Sequence, residues 1–415
     1  MLANVLVVSS KFPPEYSGSG HRILNTYLRL QKKYDINFKV LTSSVTENRN
    51  SVYKIQGLTI NRISFKPFRS NYFLNSNSSV ILINFLSKLI GKVFYRFDFF
   101  VEAVLTFFFY FKNRKWIDIV HVIGNVNVTS AAMIFSKIFN KKVIYEVVNF
   151  KNNKDYDPLE YYEPFFIKLF YGRGIKVDWQ VIVISKALEK LCEKHNPSID
   201  VFHRPNPIDE ARFLPVSENK KNLLRKNLTT FSSKDYVICN ISKFMPLKNQ
   251  ILLVNVLKTL PEKYKLLLIG PLVKNGPLAK RDNEYLSSII KLISSLKLQN
   301  RVIIQTEFHK NVQEYYQLSD VFAFPTTDEA LGTPMLESLA CAVPVVMTNI
   351  KGVSDTWIKD GINGYLSKLS VNEFAEKIIL SSYLDKKILA ENSEQLSKIA
   401  STMVIDHQYK NFFSL

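Results

Sequence analysis

Two glutamates eight positions apart, Glu329 and Glu337, stand on either side of Gly332 in the stretch from Phe324 to Glu337. An ionised carboxylate only accepts hydrogen bonds, and it can take two O–H donors at once, which suits the hydroxyls of a sugar or a ribose. Between the carboxylates, Gly332 and Thr333 form an uncharged turn where a helical pattern opens. Free backbone N–H groups and the partial positive charge of a helix start suit phosphate. Upstream, the run Asn240-Ile-Ser-Lys243-Phe-Met-Pro-Leu-Lys248 places two lysines five apart. Taken alone they read as surface lysines. Beside two carboxylates at one sheet edge they would hold a diphosphate and offset the charge that develops as it leaves. The chemistry this set suggests is that of a nucleotide-sugar site.

The elements that must position these residues are those of an α/β protein. Asp320-Val-Phe-Ala-Phe324 is a short apolar run closed by Pro325, as a strand of a parallel sheet would be. In open α/β sheets, ligands sit beyond the carboxyl ends of the strands. The second half predicts strands over 237–241, 265–269, 301–305, 321–324 and 343–347, separated by helices over 250–260, 284–296, 312–318 and 334–341. Strands alternating with helices imply a parallel, doubly wound sheet. The first half repeats the pattern, with apolar runs at 4–9, 38–42, 117–123, 142–148 and 181–184. Between the first two of these lies a loop with Gly18 and Gly20, followed by a helical pattern from Ile23. A single Gly-x-Gly is weak evidence for a ligand loop, although both glycines would let backbone approach a ligand closely. Pro205-Asn206-Pro207 marks the link between the halves.

Length and composition set the outer limits. At 415 residues and 47% apolar content, the chain suits two globular domains rather than one core or a disordered chain. The three cysteines, Cys192, Cys239 and Cys341, lack metal spacing and read as ordinary buried thiols of a reducing compartment. The first eight residues lack a basic n-region, so no signal peptide is predicted. Of the net charge of +19, residues 1–207 carry +14, with 29 Lys and Arg against 15 Asp and Glu. A basic half beside a nearly balanced one suggests an anionic surface as a partner of the first half, with simple solubility as the plainer reading.

Residues 79–111 are the most apolar segment, yet charges interrupt it too often for a membrane span. Asn84, Lys88, Lys92 and Arg96 recur every four positions as a polar stripe, opposite Leu82, Phe85, Leu86, Leu89, Ile90, Val93, Phe94 and Phe97. Such a helix can lie in a membrane interface or be a domain helix with a solvated cationic face.

With these motifs in order, the chain resembles the family 4 glycosyltransferases of the GT-B fold. The resemblance starts at Pro13-Pro14 with Gly18 and Gly20, then Asp118-Ile-Val-His121, Ser185 at a helix start, and Pro205-Asn206-Pro-Ile-Asp209. It continues with Lys243 and Lys248, the glutamate pair, Ala340-Cys-Ala-Val-Pro344 and Gly361-Ile-Asn-Gly364. The most specific part runs from Glu329 to Gly364. The resemblance implies two Rossmann-like domains facing across a cleft: residues 1–207 binding the acceptor, 208–385 binding the nucleotide-sugar, and a helix over 386–415 crossing back. It implies a retaining transferase that moves a hexose-type sugar from a UDP- or GDP-sugar to a lipid-linked or cell-surface glycan in polysaccharide biosynthesis, with no obligatory metal or other cofactor. Glu329 would meet the donor sugar near the reacting centre and Glu337 the ribose. Lys243 and Lys248 would hold the diphosphate, helped by the backbone of Gly332 and Thr333, with Gly18 and Gly20 covering the donor. The expected place of work is the cytoplasm, peripherally on the inner face of the plasma membrane.

The chain departs from the family pattern in places. Lys243 stands where Arg is usual, and a lysine is a point charge where Arg is a fork. Val148-Asn149 replaces a frequent His-Asp, which leaves His121 as the candidate acceptor-side base, or else a structural histidine. Asp155-Tyr-Asp157 mimics a metal-binding pair by chance. A nucleotide-sugar epimerase or a soluble sugar-phosphate transferase would use the same fold. A basic nucleic-acid-binding protein is a third reading, but the sequence shows no recognition motif for RNA or DNA, so no nucleic-acid partner is expected.

Overall fold

A computed structural model of the chain describes residues 3–9, 11–15, 18–34, 36–44, 49–64, 81–124, 127–149, 179–272 and 278–414. Asp155 and Asp157, and the side chains of Asn84, Lys88 and Lys92, lie outside the described residues. The chain divides into two compact units. One comprises residues 1–184, 188–204 and 406–415; the other comprises 185–187 and 205–405.

The first unit is built on an eight-stranded sheet in the order β3-β4-β2-β1-β5-β6-β7-β8. Its strands are β1 (Asn4–Ser9), β2 (Asn37–Thr42), β3 (Ser51–Ile55), β4 (Leu58–Arg62), β5 (Ile119–Ile123), β6 (Lys142–Val147), β7 (Trp179–Val183) and β8 (Val201–His203). All neighbouring pairs are parallel except β3 with β4, a hairpin turned at Gln56 and Gly57. Every residue of β5 is buried, as a central strand covered on both faces requires.

The helix after β1 runs Gly18–Tyr34. Gly18 and Gly20 are therefore not loop residues but form its first turn, which corrects the loop reading. A Cβ on Gly20 would stand 3.0 Å from the Lys11 carbonyl oxygen, so the close approach that glycine permits is to the chain's own preceding loop.

The apolar segment forms a helix over Ile81–Asn113. A domain helix should turn its apolar side inward, and this one does not. Asp98, Glu102, Thr106 and Tyr110, four apart, are buried, while Leu86, Leu89, Ile90 and Val93 are exposed. Among the described residues, no helix is long and apolar enough to cross a membrane.

The second unit carries a six-stranded, wholly parallel sheet in the order β11-β10-β9-β12-β13-β14. The strands are β9 (Tyr236–Ile241), β10 (Tyr264–Ile269), β11 (Val302–Gln305), β12 (Val321–Phe324), β13 (Val345–Thr348) and β14 (Gly364–Ser367). Ile238, Leu266 and Ala323 from the strands pack against Val254, Leu257 and Ile289 from the helices Gln250–Thr259 and Ala279–Ser295. Each such aliphatic side chain taken fully from water contributes roughly 1.5–3 kcal/mol. The helices Glu218–Leu228, Val371–Ser381 and Lys386–Ala400 start on Ser217, Ser370 and Asp385, whose side chains accept from backbone N–H groups of the first turn. All three cysteines are buried and free.

Candidate functional site

In both sheets the winding leaves from a central strand in one direction and returns on its other side. In the second unit that reversal lies between β9 and β12, which pair at Ile238 with Val321 and Cys239 with Phe322. The carboxyl ends of two such strands part around a crevice, because the connections leave to opposite faces of the sheet. Lys243 and Lys248 follow β9; Glu329, Gly332 and Thr333 follow β12.

The two connections are tied to each other. Thr326 Oγ1 donates to the Leu247 carbonyl at 3.1 Å, and the Thr327 N–H donates to the same carbonyl at 2.9 Å. Inside the sheet edge, Asn240 Nδ2 donates to the Ala323 carbonyl at 2.7 Å. Ser242 Oγ donates to Asn240 Oδ1 at 2.6 Å, and Gln250 Nε2 reaches Ser242 Oγ and the Lys243 carbonyl, both at 3.0 Å. These buried side-chain hydrogen bonds fix the path of the Ser242–Asn249 loop.

On that frame Lys248 Nζ forms an ion pair with Glu329 Oε2, and its ammonium lies over the Phe324 ring, 5.0 Å from the centroid. Both side chains keep part of their surface, at 15% and 18% exposure. Gly332 caps the helix Thr333–Ala340 in the left-handed region at φ 77°, which an L side chain rarely adopts. No side chain caps this helix start, and a Cβ on Gly332 would lie 3.5 Å from Glu329 Cγ. An open helix N-terminus thus borders the ion pair, and such an end attracts anions.

Glu337 lies further along the same helix. Tyr316, fully buried, donates to Glu337 Oε2 at 2.7 Å. Burial pushes the Glu337 carboxyl up to about 7, against the opposing pull of the Tyr316 hydrogen bond and the Arg212 charge. Lys243 points to another carboxylate: its Nζ is 3.2 Å from Oδ2 of the buried Asp282, which also accepts from Arg281 at 2.7 Å.

The structure therefore brings Lys248, Glu329, Gly332 and Thr333 to one edge and gives Lys243 and Glu337 partners of their own. Motif spacing points to neither Tyr316 nor Asp282, nor to the hydrogen bond from Asn206 Nδ2 to Thr333 Oγ1 at 2.8 Å. Asn206 sits between two prolines, so its spacing signals a linker and nothing about what its amide meets. Among the described residues, no group of three or more His, Cys, Asp and Glu is gathered to hold a metal ion.

Gly18, Gly20 and His121 belong to the first unit. His121 is fully buried within β5, with its Nδ1 at the Tyr27 hydroxyl and its Nε2 3.2 Å from Glu146 Oε2. Burial lowers its pKa, an effect that outweighs the neighbouring Glu146. Glu146 in turn takes Arg22 at 2.7 Å, Arg204 at 3.1 Å and the Tyr409 hydroxyl at 3.0 Å. Burial pushes its carboxyl up, but Arg22, Arg204 and His121 prevail and hold it well below the usual range. A ring closed in this way has no solvent-facing nitrogen with which to touch a substrate.

Residues 224–401 match the family described as glycosyl transferases group 1. This stretch holds both glutamates and both lysines. Residues 224–401 are a group 1 glycosyl transferase region. The chain is 25% identical over 248 residues to an uncharacterized glycosyltransferase of Methanocaldococcus jannaschii, covering 56% of this chain and 57% of that protein. It is 22% identical over 247 residues to the capsular polysaccharide biosynthesis glycosyltransferase CapM of Staphylococcus aureus, covering 56% and 61%. The chain thus spans about half the length of the curated relatives it matches. Over the whole fold it is similar to the Anabaena protein HepE, solved with UDP and glucose, with a TM-score of 0.68 and 16% identity over 99% of each chain. The glycosyl transferase region accordingly sits in a chain with the GT-B fold: two α/β units, each on a largely parallel sheet.

Proposed function

We propose that the protein is a retaining glycosyltransferase that moves a hexose-type sugar from a UDP- or GDP-sugar to a lipid-linked or cell-surface glycan. The observation that carries this reading is the Lys248–Glu329 pair beside an open helix start, at the switch point of a sheet within the group 1 region. The HepE structure holds UDP and glucose, and CapM acts in capsular polysaccharide biosynthesis, which supports a nucleotide-sugar donor and a glycan product.

Lys248 then neutralises the diphosphate, with the Gly332–Thr333 backbone at the helix start helping to hold it. A diphosphate brought to this edge competes with Glu329 for Lys248, and Glu329 turns to the hydroxyls of the sugar. Lys243, held by Asp282, adds a second cation near the same strand end, and Glu337 accepts from the ribose through the oxygen that Tyr316 leaves free. With two lysines supplying the positive charge, the reaction needs no obligatory metal. His121 holds Glu146 and Tyr27 in place and does not touch the acceptor. The basic first half faces an anionic membrane surface on the cytoplasmic side, where a lipid-linked acceptor would be met.

The test is a thermal-shift and hydrolysis screen over UDP-, GDP- and ADP-sugars, followed by NMR of the anomeric proton of the product. One nucleotide class should stabilise the wild type, and Glu329→Ala should keep binding while losing turnover. A wild type that no nucleotide stabilises would remove the donor site from this edge. Release of an epimerised nucleotide-sugar would favour an epimerase.

A further inference from the structure

The helix Ile81–Asn113, about 50 Å long at 1.5 Å per residue, turns its apolar side to solvent. Leu86, Leu89, Ile90, Val93, Phe100, Val104, Phe108 and Phe111 are all exposed, from 36% for Val104 to 61% for Phe108. Apart from the adjacent Leu89 and Ile90, they are three, four or seven apart, which keeps them on one side of the helix. The inward side is the polar one. Tyr110 reaches Ser136 at 3.2 Å, Thr106 Oγ1 donates to the Glu102 carbonyl at 2.7 Å, and Asp98 and Glu102 are buried. Phe107 and Tyr110 close the contact with Phe135 and Phe139. Leaving a row of large apolar side chains in water is unfavourable, and contiguous exposed patches of this kind mark contact surfaces.

Charge identifies the chemistry of what covers the row. Asp98 and Glu102 are the only carboxylates between residues 81 and 117, and both are buried, so the outer side presents no anion. Its exposed charges are cations, with Arg96 along the helix and Lys112 and Lys115 at its end. Arg114 lies over the Phe111 ring at 4.1 Å, and Lys39 over the Trp116 ring at the same distance. An apolar row that ends in cations and the amphipathic Trp116 ring matches a lipid–water boundary, where such rings and long basic side chains span the change of polarity. A second copy on the same surface would set these cations against one another.

We infer that the Leu86–Phe111 side of this helix lies in the surface of an anionic lipid bilayer, apolar side chains among the acyl chains and Arg96, Lys112, Arg114 and Lys115 at the headgroups. The inference deepens the reading of a membrane-facing transferase and rests on it only for the whereabouts of the acceptor. It differs from a purely electrostatic attachment, because removing phenylalanines alone should release the protein.

The full chain is sedimented with phosphatidylcholine vesicles, with and without phosphatidylglycerol. Wild type should sediment with the anionic vesicles. Phe100→Ser combined with Phe108→Ser and Phe111→Ser should lower the partition coefficient at least about tenfold. Charge reversal at Lys112, Arg114 and Lys115 should abolish the preference for phosphatidylglycerol. Thermal shifts with the nucleotide-sugar are measured on the same variants: lost sedimentation with an unchanged nucleotide shift separates this surface from the donor site. A separate Phe108→Trp protein should show a blue-shifted emission on adding anionic vesicles. A serine variant that sediments like wild type would overturn the inference. So would a wild type that ignores vesicles and forms a dimer that the serine substitutions dissociate.

Discussion

Each of the two sheets gathers charge near its point of reversal, but on opposite terms. On β6 in the first unit, Glu146 is fully buried, paired with Arg22 and Arg204 and in contact with Tyr409 and His121. Beyond β9 and β12 in the second, Lys248 and Glu329 satisfy mainly each other and remain partly exposed. The first arrangement is a lock: the partners of Glu146 come from the Gly18–Tyr34 helix, β5, the end of β8 and the C-terminal residues, and none is open to exchange. The second can trade one partner for another. Residue types alone do not distinguish the two; burial and the number of partners do.

The contrast breaks first at Glu146. Glu146→Ala strands two buried guanidinium groups, and removing one side of a buried ion network costs about 3–5 kcal/mol. Urea unfolding should show that loss, and a loss below about 1 kcal/mol would mean the network is not a lock. The depressed pKa of Glu146 adds a pH signature. Its contribution is fully present above the ordinary carboxylate value of 4.5 and is lost as pH falls through the lower native one.

Glu329→Ala should cut transfer by about 10²–10³-fold with urea stability nearly unchanged, the reverse of the Glu146 result. Steady-state rates beside unfolding curves decide this, and retained turnover would take Glu329 out of the site. Smaller still is Tyr316→Phe, which removes one hydrogen bond worth about 0.5–1.5 kcal/mol. A ribose diol needs the ionised form of Glu337, so nucleotide affinity should rise with pH through about 7 and level off above it. The Tyr316 hydrogen bond favours ionisation, so Tyr316→Phe should move that midpoint upward. Fluorescence titrations at a series of pH values would show it, and a flat profile would exclude Glu337 as the ribose ligand.

Five of the six strands of the second unit are legible in the sequence because β-branched and apolar runs closed by Gly, Pro or polar turns suit a buried strand and little else; β14, four residues opened by a glycine, is not. All five predicted strands of that half form, within two residues at each end. The hairpin of β3 and β4 is not legible in the same way, since Ser51–Arg62 is mostly polar and only its alternation speaks for strands. The long helix is readable as a helix, but not in its orientation: periodicity finds a face without saying which side the domain covers. Glu329, Lys248 and Gly332 stand out through their spacing around strand ends. Tyr316 and Asp282 do not, because a tyrosine in a short helix and an aspartate in a long one look like any others until the fold brings them to Glu337 and Lys243.

The central claim is that Lys248 exchanges Glu329 for a diphosphate. Calorimetric titration of UDP and GDP into wild type, Lys248→Ala and Lys258→Ala tests it, the last being an exposed lysine of the Gln250–Thr259 helix. Losing one charge-assisted contact of about 1.5–3 kcal/mol should weaken nucleotide binding roughly 10- to 150-fold in Lys248→Ala and leave Lys258→Ala at the wild-type value. Equal affinity in all three proteins, or no binding of either nucleotide to the wild type, would contradict it.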